Sequence, residues 1–203
     1  MKKIAKFIGL CDPLTRDHQS RVSILAVKIG HQLALPLSQI ENIRTISLIH
    51  DIGKVVLPPE FMVKTNKLSD AEREIVMKHP QAGYDILTGS NLSDVVKQAV
   101  LQHHERIDGS GYPGNLKGRQ ILPEAKVVAV ADVIDAMTSH RPYNTDLEID
   151  DALSEITKNM GTYYEPVVVN ACLWLFSRQR QYRDAMSTAN DVHFNRQPIR
   201  CRG

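Results

Sequence analysis

The sequence predicts an all-α fold. Apolar residues recur at three- and four-residue spacing in one segment after another. Helix start and stop residues bracket those segments. No stretch alternates apolar and polar residues for long enough to read as a strand, and no internal repeat is visible.

In chain order, residues 1–10 read as a short helix or linker stub. Asp12-Pro13-Leu14-Thr15 reads as a turn that starts a helix, with Thr15 as its N-cap. Val22, Leu25, Ala26, Ile29 and Leu33 continue that helix until Pro36 ends it. Ser38-x-x-Glu41 has the form of a capping box. It opens an isoleucine stripe at positions 40, 43, 46, 49 and 52, which delivers His50 and Asp51 at a helix end. Pro58-Pro59 starts a loop or short helix. Ser69-x-x-Glu72 is a second capping box, for a helix to about Lys78, and His79-Pro80 breaks or kinks the chain there. Ala82, Ile86 and Leu87 form a further helical stretch ending at Gly89. Ser93 caps a helix through Val100 that ends at His103-His104.

From Glu105 to Arg119 four glycines and a proline mark a long shaped loop, a kind that usually serves function. Pro123 suits the first position of the next helix. Val127 to Ile134 is apolar on all sides, so this helix should be central, with Asp132 inside it. Ile149, Ala152, Leu153, Ile156 and Met160 form an amphipathic helix. Pro166 opens a last one through Trp174 and Phe176.

Composition bounds the rest. Hydrophobic content of 42% with 24% charged residues suits a soluble globular chain. The net charge of +2 is uneven: six arginines and two aspartates put +4 on residues 177–203 and leave −2 on the remainder. The body is therefore no platform for a nucleic-acid duplex. Cys11, Cys172 and Cys201 form no disulfide framework or CxxC pair, which fits a reducing cytoplasm. The N-terminal apolar stretch is too short for a signal peptide, and no run approaches a membrane span. The expected division is a stub at 1–10, one domain at 11–176 and a basic, poorly ordered tail at 177–203.

The chemistry centres on His50-Asp51. A buried carboxylate is costly unless it meets a metal or another cation. His18, His79, His103, His104 and Asp132 lie in similar apolar-to-polar transitions. Five imidazoles and two carboxylates exceed the three or four ligands one zinc takes, and suit two borderline ions. Asp51 is central enough to bridge them. A buried cap or ion pair is the alternative for Asp132, and a helix C-terminal cation the alternative for Lys54. His31, His140 and His193 read as caps or surface residues.

His50-Asp51 with the later Asp132 resembles the HD superfamily of metal phosphohydrolases. The run His103-His104-Glu105-Arg106-Ile107-Asp108-Gly109-Ser110-Gly111-Tyr112-Pro113 is similar to the HHExxDGxGYP signature of the HD-GYP branch, and it is complete. Asp12-Pro13-Leu14-Thr15, His18-x-x-Arg21, His79-Pro80, Asp132-Val133-Ile134-Asp135 and Arg141-Pro142-Tyr143 extend the likeness over roughly residues 11–176.

The resemblance implies a single HD-type helical bundle that hydrolyses cyclic di-GMP to linear pGpG, with onward hydrolysis to GMP left open and expected to be slow for a two-metal site, using a hydroxide held between two divalent ions, iron or manganese. Catalytic hydrolysis of another cyclic dinucleotide or nucleotide, and a non-catalytic sensor, are the alternatives. By position, His18, His50, Asp51 and Asp132 would hold one ion, and Asp51, His79, His103 and His104 the other. Lys54 and Arg141 would hold phosphate, and Tyr112 would shape the loop beside the substrate. Arg106 and Asp108 read as an ion pair within that loop. A GGDEF-type cyclase, a regulatory domain and a second copy of the chain are the partners implied. Leu14 stands where some members carry a glutamate that ligates a third metal, so two ions are expected. Asn144 stands where many carry a lysine or arginine.

Overall fold

The isoleucine stripe and the all-apolar segment meet at the centre of the molecule. The computed structural model describes residues 13–58, 60–61, 68–139 and 149–178. Helices α1 (Pro13–Gln32) and α2 (Leu37–Ile49) form an antiparallel pair. A 3-10 turn (Ile52–Val56) follows, then α3 (Asp70–Val76), α4 (His79–Thr88) and α5 (Asp94–Gln102). After the glycine-rich loop come a short 3-10 turn (Gly118–Gln120), α6 (Pro123–Thr138), α7 (Ile149–Lys158) and α8 over residues 166–178. There is no strand among the described residues, only the isolated bridges Asp108–Lys117 and Met160–Tyr164.

Helix α6 is the hub, as its apolar run predicts. It packs on α1, α2, α5 and α7, and Ala125, Val127, Val128, Ala129, Val130, Ala131 and Ile134 are buried on it. The α2 stripe faces it: Ile40, Ile43, Ile46 and Ile49 are each 2% exposed or less. Truncating such a residue to alanine typically costs about 2–5 kcal/mol, so this contact fixes α2 rigidly against α6. The end of α2 is thereby fixed, and with it His50 and Asp51. The 3-10 turn that carries Lys54 packs against α4.

Two expected helix starts differ. Helix α1 begins at Pro13, so Thr15 lies inside the first turn rather than at the cap. Helix α2 begins at Leu37, and the Ser38-x-x-Glu41 box does not form: Pro36 is the N-cap, with no side-chain cap. The carbonyl of Pro36 instead accepts from the amides of Gln39 (2.9 Å) and Ile40 (3.0 Å). The Ser69–Glu72 box does form, with both reciprocal hydrogen bonds. Ser93 caps α5, and Pro123 opens α6. The break expected at His79-Pro80 separates α3 from α4, with His79 the first residue of α4. Ser177 and Arg178, placed in the tail by sequence, still belong to α8, where the Arg178 guanidinium lies 5.1 Å from the Trp174 ring. The remaining tail, residues 1–10, Arg141 and Asn144 lie outside the described residues, as does the side chain of Leu14.

Candidate metal centre

Three of the histidines stand at helix ends and share one local device. The last carbonyls of a helix lack partners within it. His50 Nδ1 donates to Ser47 O at 2.8 Å, His79 Nδ1 to Val76 O at 2.7 Å, and His103 Nδ1 to Val100 O at 2.6 Å. A neutral imidazole that donates from Nδ1 presents a bare lone pair at Nε2. All three Nε2 atoms point into one cluster.

Asp51 lies between two sets of imidazoles and is 3% exposed. Its Oδ2 is 3.5 Å from His50 Nε2 and 3.9 Å from His18 Nε2. Its Oδ1 is 3.3 Å from His79 Nε2 and 4.0 Å from His103 Nε2. Asp132 Oδ1 adds to the first set, 3.1 Å from His18 Nε2 and 3.6 Å from His50 Nε2. His104 joins the second, its ring 4.0 Å from that of His103 and 5.0 Å from that of His79. Two donor groups result: His18, His50 and Asp51, and Asp51, His79, His103 and His104, the donor atoms of each within 4.8 Å of one another.

The cluster is unsatisfied without a cation. His50 Nε2 and Asp51 Oδ1 are buried with no hydrogen-bond partner, an arrangement that is costly for buried polar atoms. His79 Nε2 and His103 Nε2 approach to 3.2 Å, although both rings already donate from Nδ1. Two lone pairs therefore face each other there, as do those of His79 Nε2 and Asp51 Oδ1. A divalent cation resolves all of these contacts, so the donor set fits a metal centre of imidazole and carboxylate ligands.

Proton affinities divide the cluster the same way. Burial lowers His18, but hydrogen bonds to Asp132 and Asp135 outweigh it and raise its pKa to about 9. Burial also works against His50, and Asp51 and Asp132 raise it nonetheless. Both carboxylates lie well below the usual range despite burial: Lys54 and His50 hold Asp51 down, and a hydrogen bond from His18 with the nearby His50 ring holds Asp132 down. In the other group burial lowers His103 well below its ordinary value, helped by His104, and burial takes His104 to about 3. One half attracts positive charge, and the other holds His103 and His104 as neutral imidazoles ready to ligate.

Lys54 Nζ donates to Asp51 Oδ2 at 2.6 Å, so in this state it partners the carboxylate at the edge of the cluster. The Tyr112 ring lies 4.9 Å from that of His104. Its hydroxyl is raised by burial and by the charges of Asp51 and Asp132, so it stays protonated. The expected Arg106–Asp108 ion pair does not form. Asp108 Oδ1 accepts from the amide and hydroxyl of Ser110 at 2.9 and 2.7 Å, a local Asx turn. Arg106 lies over the Tyr164 ring at 4.9 Å.

Several residues gain roles that the sequence reading did not assign. Asp135 Oδ2 is 2.7 Å from His18 Nδ1, and its two oxygens accept from Arg21 Nε at 2.6 Å and Arg21 Nη2 at 3.0 Å. Only part of this is marked in the sequence: His18 and Arg21, like Asp132 and Asp135, are three apart on a helix and share a face, but nothing local pairs the two faces. Glu105 accepts from the amides of Gly114 at 2.6 Å and Leu116 at 2.9 Å, pinning the glycine-rich loop across its width.

Comparison with known proteins agrees with this geometry. A family model described as HD domain matches residues 4–168. The chain is 35% identical over 192 residues to a cyclic di-GMP phosphodiesterase response regulator of Xanthomonas campestris, covering 94% of this chain and 51% of that protein. It is 38% identical over 166 residues to a cyclic di-GMP phosphodiesterase of Thermotoga maritima, covering 81% and 45%. A 3'3'-cGAMP-specific phosphodiesterase of Vibrio cholerae is 34% identical over 161 residues, covering 78% and 31%. The chain thus spans about half the length, or less, of these relatives. Among solved structures, an HDG"Y"P protein from Bdellovibrio bacteriovorus superposes with a TM-score of 0.67 at 18% identity, covering 79% of this chain and 51% of that one. The HD domain of an L. monocytogenes phosphodiesterase in complex with cyclic-di-AMP gives 0.62 at 18%, covering 86% and 96%, and at these identities the likeness is one of fold. The chain belongs to the HD-domain family, and its complete HHExxDGxGYP run puts it in the HD-GYP branch.

Proposed function

We propose that this chain is a metal-dependent phosphodiesterase that opens cyclic di-GMP to linear pGpG. The observation that carries the reading is Asp51, whose two oxygens face two separate groups of imidazoles. In this reading His18, His50, Asp51 and Asp132 hold one ion, and Asp51, His79, His103 and His104 hold a second. Iron and manganese both suit such mixed donors. Two bound ions supply Lewis acidity and a nucleophile at neutral pH, and clamp both oxygens of an in-line displacement.

The protein's own residues bind and orient. Lys54 is a quarter exposed, so its ammonium can leave Asp51 for a phosphate oxygen of an arriving diester. Tyr112, kept protonated, donates a hydrogen bond at the mouth of the site and accepts no proton. Glu105 holds the loop that presents it. Arg141 serves as a fork donor to phosphate. Residues 11–178 form the functional domain, with 1–10 and 179–203 as flanks. A GGDEF-type cyclase, a regulatory domain or a second copy of the chain would act as partner to it.

The test is turnover by the full chain loaded with iron or manganese under reducing, anaerobic conditions, with nucleotide products followed chromatographically. Cyclic di-GMP should give pGpG, and His50→Ala and Asp51→Ala should each abolish turnover. A fully loaded protein that leaves cyclic di-GMP intact would sink the reading. A mixed cyclic dinucleotide is the second substrate to try: relatives named as 3'3'-cGAMP-specific match at 34% and 31% identity, and Asn144 leaves one fewer cation for phosphate. Relative rates on the two dinucleotides decide between them.

A further inference from the structure

We infer that Asp135, backed by Arg21, is a positioning residue for one half of the metal centre, and that the two ions therefore bind with separable affinities. The inference rests on the two-ion reading above. His50, His79 and His103 are each oriented by the main-chain carbonyl three residues earlier, at a helix end. His18 lies within α1, where the carbonyls are taken up by the helix itself. Its Nδ1 is held instead by a carboxylate from another helix, Asp135 Oδ2 at 2.7 Å.

That carboxylate is in turn fixed by three hydrogen bonds from two residues. Arg21 reaches both of its oxygens, and the Ser139 hydroxyl donates to Oδ2 at 2.8 Å. Arg21 Nη2 also donates to Ser139 Oγ at 2.7 Å, closing the network. Asp135 is 6% exposed, whereas the Arg21 side chain is 48% exposed. The unit thus spans from solvent to the back of His18.

A carboxylate behind a ligating imidazole fixes the ring and makes it a stronger donor than a carbonyl does. Only the His18 half of the centre has one among its described imidazoles. That half also holds Asp132, so it gathers two carboxylates and a reinforced imidazole, while the other half offers three imidazoles and shares Asp51. The geometry assigns the tighter ion to the His18 half. It makes Asp135 the residue that sets that affinity through His18 alone.

The experiment is manganese titration of the chelator-stripped full chain, with free ion followed by its electron paramagnetic resonance signal. Wild type should take up two ions in distinguishable steps. Asp135→Asn should weaken the tighter step alone by about 10–100-fold, the usual cost of losing an outer partner of a ligand. Arg21→Gln should weaken the same step by less. On a His18→Ala background, Asp135→Asn should change nothing further, because it acts through that ring. Equal weakening of both steps, an unchanged Asp135→Asn, or an additional loss on the His18→Ala background would each overturn the inference. Wild type that takes up a single ion would instead overturn the two-ion reading itself. Asp135→Glu, which keeps the charge, should retain folding and restore part of the tight step. Failure of any rescue in a folded Asp135→Glu protein counts against the assignment.

Discussion

Gly53 follows the His50-Asp51 pair by two residues and carries no chemistry, yet its substitution by alanine should disable the site. An added Cβ would overlap the carbonyl oxygen of His79 outright, and would stand 2.5 Å from the Gly83 amide nitrogen and 2.9 Å from the His79 carbonyl carbon. All three are backbone atoms of α4, which cannot swing aside as a side chain can. Restoring an ordinary 3.4 Å separation from the Gly83 nitrogen alone requires a retreat of about 0.9 Å, since 3.4 less 2.5 is 0.9. Metal ligands tolerate distance errors of only about 0.2 Å, and His79 is the first residue of the helix that must move. Overpacking of this kind costs about 3 kcal/mol at the upper end of its usual range. For a domain of this size that lowers the Tm by about 6–12 °C. Differential scanning calorimetry and metal analysis on the full chain measure both effects, and Gly53→Ala should lose metal as well as stability. Gly89→Ala is the control. Its added Cβ meets nothing within 4 Å, its φ of −78° suits alanine, and it should be neutral or slightly stabilising. A Gly53→Ala protein with wild-type Tm and full metal content would refute the argument that this glycine sets the α4 position.

Other outcomes follow from the same contacts. Glu105→Ala should loosen the glycine-rich loop, because hydrogen bonds to a charged acceptor contribute about 1.5–3 kcal/mol; unchanged hydrogen exchange at Gly114 and Leu116 would contradict this. In metal-free protein His18 has its pKa raised from 6.5 to about 9. A raised folded-state value gives stability that is complete below pH 6.5 and is lost as pH rises through about 9. The Tm of chelator-treated protein should therefore fall across that window, and a His18→Gln variant should lose that component of the slope; a flat wild-type profile would exclude the His18–Asp132–Asp135 pairing as a source of stability. Ser69→Ala should cost the α3 cap about 1 kcal/mol, read as faster amide exchange in Asp70–Val76, whereas Ser38→Ala should leave α2 exchange unchanged; the reverse pattern would reassign the cap.

Much of the fold was legible because its signals are local. The isoleucine stripe, the all-apolar α6, the caps at Ser69 and Ser93 and the Pro123 start each depend on residues within a turn or two of one another. Where two local signals compete, sequence reading favoured the more familiar one. At the start of α2, Pro36 and the Ser38 box offer alternative caps two residues apart. The chain settles it upstream: Ala34 adopts a φ of +52°, and the Leu35 amide closes onto Gly30 O at 3.1 Å, which delivers Pro36 at the cap position with its backbone still extended. Thr15 loses its cap role in the same way, to the earlier start at Pro13. The Arg106–Asp108 pairing gives way because Ser110, as near along the chain as Arg106, offers Asp108 both an amide and a hydroxyl, while Arg106 lies over the Tyr164 ring.

The candidate site shows the same division between local and remote causes. An apolar helix ending in histidine is legible because the helix end itself creates the need. Its last carbonyls lack amide partners, and an imidazole three residues on from one of them can supply the missing donor. Doing so fixes the tautomer and turns Nε2 away from the helix. His50 and His103 follow this rule at the ends of their own helices, and His79, the first residue of α4, follows it on the last carbonyl of α3, so their orientation requires no residue outside the local segment. His18 has no such carbonyl to use, being inside α1, and its ring needs a partner supplied by tertiary structure. That partner, Asp135, lies 117 residues away. Local spacing could mark His18 as a candidate ligand and Asp135 as a neighbour of Asp132, but it could not join the two. The residues that ligate by local geometry were thus readable from the chain, and the residue that orients a ligand across the fold was not. Substitutions at the first kind should disturb one helix end, whereas substitutions at the second should free the ring of a ligand that stands on another helix.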